Sequence, residues 1–335
     1  MKAVGVARAL PISDPESLLD LDWPPPTPGA RDLVVQVRAV SVNPADSKVR
    51  KRDSANASPR VLGWDAAGVV VEVGREVSAF HVGDEVYFAG DVTRAGSNSE
   101  RCVVDERIAA RKPQTLDFAE AAALPLTALT AYEALFERMH VSRTASAKTL
   151  LIVGGAGGVG SIAIQLAKVL TATTVIATAS REVTRDWVTR MGADHVIDHH
   201  GDLRVQLTAL GIERVDYIFC TAETDPYYAR LVELVAPQGT VCFIVPAAAP
   251  VDMAPLHPKS VTIAWELMFT RARFQAPDLA EQGRILAEVA TLIDAGKLRT
   301  TLTQRLSPIC ARTMRDAHAR IESGTTIGKI AIEGW

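Results

Sequence analysis

The chain lacks any cysteine motif. Its four cysteines, Cys102, Cys220, Cys242 and Cys310, lie far apart with no C-x-x-C pair, which excludes a zinc ribbon. Cysteines so isolated behave as small core residues, and Cys220 and Cys242 both sit in strand-like runs. A surplus of one charge is lacking too. The 36 Lys and Arg against 39 Asp and Glu leave a net charge of -3. No basic field is available to attract nucleic acid or an anionic membrane. No apolar run approaches the length needed to cross a bilayer. The opening residues, MKAVGVARALPISDPES, hold no sustained apolar core and no cleavage signature. The expectation is therefore a cytoplasmic protein without a signal peptide. Neither an internal repeat nor a low-complexity segment is present. What remains is an ordinary globular composition, 48% hydrophobic and 22% charged over 335 residues, enough for a full core and two domains.

The stretch that organises the chain is residues 149–161, TLLIVGGAGGVGS. The apolar run at 150–153 suits a strand buried on both faces. Gly154, Gly155, Ala156, Gly157, Gly158, Val159 and Gly160 follow, and residues 161–170 carry helical spacing. Strand, glycine turn and helix in this order hold a dinucleotide pyrophosphate. One glycine turns the chain, one lets backbone approach phosphate, and one lets helix pack on strand. The phosphate then meets free N–H groups at the positive end of the helix. Gly155-x-Gly157-x-x-Gly160 alone is a weak signal; its flanking strand and helix make it a strong one.

Up to about residue 124 the chain reads as β-rich. Strands are expected at 32–42, 66–73 and 99–104, with a turn at 82–86 leading into another. Residues 51–60 and 90–98 read as irregular, the second as a polar, mobile loop. From about 125 the pattern changes. A helix at 127–139 precedes strands at 150–153, 174–178, 195–197, 215–219 and 240–244, with helices between them, including 182–191 and 227–235. That alternation implies right-handed crossovers and a doubly wound parallel sheet, an α/β fold. Helices at 279–295 and 311–321 and a strand at 329–332 complete the chain.

The second strand of the dinucleotide unit ends at Ser180-Arg181. An NAD enzyme usually carries an acid about twenty positions past the glycines, to hold the ribose 2′-hydroxyl. Ser180 stands there instead, followed by Arg181. Together they can donate to a 2′-phosphate and neutralise it, so NADPH is expected over NADH. Glu182 reverses the preference if its carboxylate faces the ribose.

With these motifs in hand, the whole chain resembles the medium-chain dehydrogenase/reductase superfamily. Ser41-Val42-Asn43-Pro44-Ala45-Asp46 is similar to an element of its zinc-independent quinone oxidoreductases. LGWDAAGVV at 62–70, VDERI at 104–108, ALPLTALTAYEALF at 123–136 and WELMFTR at 265–271 are similar to its bacterial zinc-type alcohol dehydrogenase-like members. The resemblance implies a GroES-like catalytic domain over 1–125 and 267–335, and a Rossmann NADPH-binding domain over 126–266. It also puts zinc in question. The catalytic ligand positions of the zinc members fall at Asn43, Trp64 and Leu126 or Thr127, and none of these replaces a thiolate–imidazole site. No metal is expected, including at His195, His199 and His200.

By the same resemblance, Asn43 lies near nicotinamide and substrate. Asp46 and Lys48 are further catalytic candidates, Asp46 with the plainer reading of a structural partner for nearby backbone, and Lys48 at a place where several quinone oxidoreductases carry Tyr. Lys48 could polarise the acceptor oxygen or donate its proton; its plain reading is a solvated strand end. Thr127, Thr130, Phe219, Thr221, Val245 and Lys329 are implied cofactor contacts. Trp64, Tyr87 and Phe269 are expected to line a flat substrate pocket. The implied activity is hydride transfer from NADPH to a small-molecule quinone or enone acceptor. Two alternatives stand beside it: a zinc-dependent alcohol dehydrogenase, and an NADPH-binding sensor with little turnover. Family members often pair through the edges of their dinucleotide sheets, so a homodimer is expected.

Overall fold

The computed structural model describes residues 1–52, 59–144 and 147–335. The chain divides into two compact units. One comprises Met1–Leu129 and Phe269–Trp335, the other Thr130–Met268. The divisions fall a few residues beyond the expected boundaries.

The second unit is a six-stranded parallel sheet. Its strands run in the order His195–Ile197, Thr174–Thr178, Thr149–Val153, Val215–Cys220, Val235–Phe243, Thr262–Trp265. The sequence starts at the centre and winds outward first one way, then the other. That order places a switch point beside the carboxyl end of Thr149–Val153, where such sheets bind ligands. The strand is apolar throughout because it is covered on both faces; Leu150, Leu151, Ile152 and Val153 are fully buried. Helices Gly158–Leu170, Glu182–Met191, Leu203–Ala209 and Tyr228–Leu234 supply the crossovers. Cys220 and Cys242 are buried in adjacent strands, as small core residues are.

The first unit is a seven-stranded sheet centred on Asp32–Ser41, which pairs with Ala66–Val73, Arg101–Asp105 and, through Ala331↔Ser41, Lys329–Glu333. A smaller antiparallel sheet joins Lys2–Val6 to Leu19–Asp22 and Arg60–Val61.

Several expectations need correction. Residues 90–98 do not form a loose loop. Gly96 N–H donates to Val61 O, Ser97 N–H to Gly63 O and Asn98 N–H to Leu62 O, each at 2.9 Å. Arg94 also grips Asp32 through both guanidinium nitrogens, at 2.8 and 2.7 Å. Polar composition signalled mobility, but the main chain here is tied to residues 61–63 and Arg94 is held in an ion pair. The chain after Asn43 is no strand end either; it forms a short helix, Pro44–Arg50. The helix foreseen at 127–139 is α-helical over Pro125–Tyr132 and continues as a π-helix over Glu133–Arg138. Most of the irregular stretch at 51–60 lies outside the described residues.

Candidate active site

The glycine turn starts where strand Thr149–Val153 stops. Gly154 has φ of +82° and its N–H donates to Thr178 Oγ1 at 3.0 Å. Gly155 N–H donates to Thr178 O at 3.2 Å. Thr178, which sequence reasoning missed, thus ties the turn to the end of the neighbouring strand. Thr221 holds the other side, its hydroxyl donating to Val153 O at 2.7 Å. Gly160 permits the helix to pack: a Cβ there would stand 2.4 Å from Gly154 O. Gly157 differs, because its Cβ would meet only Gly154 O, at 3.5 Å. That open face is where a ligand can sit. The first helical bond is Ser161 N–H to Gly157 O, which leaves the N–H groups of Gly158, Val159 and Gly160 ahead of the ladder. With Ala156 they line a half-exposed turn that fits a pyrophosphate.

Ser180 and Arg181 follow the strand that ends at Thr178, so both lie beside the turn. Arg181 is exposed and caps helix Glu182–Met191, with Thr184 Oγ1 donating to its carbonyl at 2.7 Å. Val245 lies two residues past strand Val235–Phe243, and its carbonyl accepts from the Thr224 hydroxyl. Phe219 is different. It is fully buried in register between Ile152 and Cys242, so its ring belongs to the core of the sheet. Thr130 is buried at the start of this unit.

In the first unit, Asn43, Asp65 and Lys329 form one buried cluster. Asn43 Nδ2 donates to Asp65 Oδ2 at 2.8 Å, and Leu126 N–H donates to Asp65 Oδ1 at 2.7 Å. Lys329 Nζ donates to Val42 O at 2.7 Å, Asn43 Oδ1 at 2.6 Å and Asp65 Oδ2 at 3.1 Å. Burial pushes the Asp65 pKa up. Three donors converging on its two oxygens nevertheless fit the acceptor-only, ionised form. Asp65 was not foreseen as part of the site; its place two residues after Gly63, in the G-x-D turn, was the available signal. Asp46 caps helix Pro44–Arg50 by accepting from Asn43 N–H at 2.7 Å. Burial lifts its pKa to about 7, against the pull of the Asn43 N–H and the Lys329 ammonium. Lys48 is exposed on the same helix.

The aromatic trio does not assemble. Trp64 and Phe269 meet edge to face at 6.0 Å. Tyr87 is fully buried elsewhere, its hydroxyl donating to Leu286 O at 2.6 Å. On strand Glu85–Phe88 it faces helix Glu281–Asp294, so it is core and not pocket lining. Thr127 Oγ1 donates to Leu124 O at 3.0 Å, a helix-start contact.

The residues that the resemblance matches to catalytic zinc ligands have the wrong chemistry for such a site. Asn43 is a neutral carboxamide bonded at both ends, the Trp64 indole donates to Asp91 O at 3.3 Å, and Leu126 offers only an alkyl side chain. Among the described residues no group of three or more His, Cys, Asp or Glu is placed to hold a metal. His199 and His200 lie ring to ring at 4.3 Å in the second unit.

Fold and turn together define a nucleotide-binding α/β protein with a β-rich partner unit. Comparison with known proteins narrows this. Residues 29–121 match the alcohol dehydrogenase GroES-like domain model, and residues 191–332 match the zinc-binding dehydrogenase model. A zinc-type alcohol dehydrogenase-like protein of Staphylococcus epidermidis is 40% identical over 335 residues, covering 99% of each chain. The 2-methylene-furan-3-one reductase of Solanum lycopersicum is 30% identical over 311 residues, covering 90% of this chain and 71% of that one. A solved Rhizobium etli structure, described provisionally as a zinc-dependent alcohol dehydrogenase, is 51% identical with a TM-score of 0.96, covering 100% and 98%. The mycobacterial protein Rv1454c, solved with NADPH, is 25% identical with a TM-score of 0.84, covering 99% and 100%. The chain belongs to the medium-chain dehydrogenase/reductase superfamily. It is an oxidoreductase of that superfamily with a Rossmann site for a nicotinamide nucleotide.

Proposed function

We propose that the protein transfers hydride from NADPH to a quinone or an α,β-unsaturated carbonyl, without zinc. The observation that carries this reading is the chemistry of the residues that the resemblance matches to zinc ligands, Asn43, Trp64 and Leu126 or Thr127: carboxamide, indole and alkyl or hydroxyl group where a zinc site needs thiolate and imidazole. Reduction of an isolated carbonyl relies on a Lewis acid to take up charge on oxygen. A conjugated acceptor spreads that charge itself and needs only hydrogen-bond donors. The nucleotide, when bound, supplies the hydride. The first-turn N–H groups of residues 158–160 bind its pyrophosphate, and Ser180 with Arg181 takes the 2′-phosphate. Thr221 and Val245 border the cofactor. Asn43 gives one amide hydrogen to Asp65; the other, which has no partner among the described residues, is the donor to the acceptor oxygen. Lys48 is the second candidate donor. The tomato relative supports an enone acceptor by its name, and the NADPH-bound mycobacterial structure supports the nucleotide.

The test is an acceptor panel. NADPH binding is followed by fluorescence and turnover by absorbance loss, with and without chelator. Turnover of quinones or enones that survives chelation is expected. Binding with no turnover across the panel would leave a nucleotide-holding protein instead, and chelator-sensitive alcohol oxidation would establish a zinc dehydrogenase. Arg181→Asp should lower the NADPH over NADH preference by about tenfold or more, through loss of one charge-assisted contact. Unchanged kinetics with both nucleotides would sink that assignment.

A further inference from the structure

Lys329 is 2% exposed, and all three hydrogens of its ammonium are used: Val42 O at 2.7 Å, Asn43 Oδ1 at 2.6 Å, Asp65 Oδ2 at 3.1 Å. An ammonium has three donors and no more. None is left for a nucleotide phosphate. The seat is set by the sheet. Lys329 opens strand Lys329–Glu333, which pairs in register with Asp32–Ser41, the strand that runs into Asn43.

A carboxamide has an acceptor end and a donor end. Here the oxygen of Asn43 faces the Lys329 cation, and the nitrogen faces the Asp65 carboxylate at 2.8 Å. The reversed orientation would set NH2 against NH3+ and oxygen against carboxylate. The charged neighbours therefore decide which end is the donor, and they hold it without a mobile partner. Removing the ammonium leaves Asn43 Oδ1 and Val42 O buried with an acceptor unfilled, and the carboxamide loses one of its two anchors.

We propose that Lys329 is a positioning residue for Asn43: it holds the carboxamide with nitrogen toward Asp65, leaving the second amide hydrogen as the donor to the acceptor oxygen, and it does not bind the nucleotide. This rests on the hydride-transfer reading above. A misaligned donor of this kind typically lowers turnover by about 10²-fold without touching cofactor binding.

The test is a double-mutant cycle on the full chain with Asn43→Ala, Lys329→Met and the pair. NADPH Kd is measured by fluorescence titration, and kcat and KM with an acceptor from the panel. Lys329→Met is expected to bind NADPH within about twofold of the parent and to lose about tenfold or more in kcat. In the Asn43→Ala background it should lose almost nothing further, because a residue acting through another has no effect once that other is gone. If Lys329→Met does not fold, Lys329→Arg takes its place in the cycle. A guanidinium keeps the charge but not the compact three-point seat, and the same non-additivity is expected. A roughly tenfold weaker NADPH Kd with unchanged kcat would make Lys329 a nucleotide ligand and overturn the proposal. So would equal kcat losses in both backgrounds. If the parent chain turns over no acceptor, the hydride-transfer reading fails and takes this one with it; if the parent is active and the cycle is additive, only this one fails.

Discussion

Asp46 and Glu266 are both buried carboxyls whose pKa values rise for the same first reason, loss of water, yet their neighbours separate them. Asp46 has the Asn43 N–H and the Lys329 ammonium nearby and reaches only about 7. Glu266 lies with Glu133 and Glu137 beside the guanidinium of Arg138, whose Nε is 3.0 Å away, and burial with the Glu133 charge lifts it to about 9. A carboxyl with a raised folded pKa takes up a proton on folding. Its stabilising contribution is fully present below about pH 4.5 and is lost as the pH rises through about 9. Glu266→Gln keeps the shape without the charge. It should raise the Tm by about 3–6 °C at pH 8 and change little at pH 5. Thermal unfolding at both pH values decides, and an equal shift at both would rule the account out. At this scale the sequence showed little. It offered Tyr87 as a pocket residue because an aromatic ring suits a flat acceptor, and residue type does not say what packs against the ring. The helix that buries Tyr87 begins nearly two hundred residues later.

At the scale of elements, the glycine turn was legible because strand, turn and helix are consecutive, so its geometry is local. Its glycines nonetheless have separate duties. Gly160→Ala places a methyl 2.4 Å from Gly154 O and should disrupt both packing and stability. Gly157→Ala meets backbone only at 3.5 Å with an ordinary φ of -72°. It should keep the Tm of the parent while weakening NADPH binding by about tenfold or more, since the methyl enters the space where phosphate approaches backbone. Calorimetry paired with fluorescence titration separates the two, and a Gly157→Ala protein that binds NADPH as the parent does would remove the turn from the cofactor site. Helix Pro44–Arg50 went unseen although its signals were present: Asn43 ahead of it, Pro44 at its first position and Asp46 at its third. Seven residues are too few for hydrophobic periodicity to register. The stretch at 90–98 was misread for the opposite reason: the main-chain N–H groups of Gly96, Ser97 and Asn98 bond to backbone carbonyls of residues 61–63, contacts that composition does not encode.

At the scale of the molecule, the first unit is discontinuous, closed by a strand from the C-terminal end of the chain. The parallel sheet of the second unit ends in Thr262–Trp265, beside which Trp265 and Leu267 remain 49% and 48% exposed. An unpaired edge with large apolar side chains is a template for a second chain. We propose that the protein is a homodimer through this edge. Light scattering should give about twice the mass of one chain, and Trp265→Lys with Leu267→Lys should give monomers of unchanged NADPH affinity. A monomeric parent would refute it. By itself the sequence determined what local order can determine: the parallel α/β unit and its phosphate turn. Only the tertiary structure decided that Lys329 and Asp65, 264 residues apart, close on Asn43, and that Phe219 and Tyr87 are core. Those outcomes depend on which distant strand or helix packs against a residue, and no spacing along the chain carries that information.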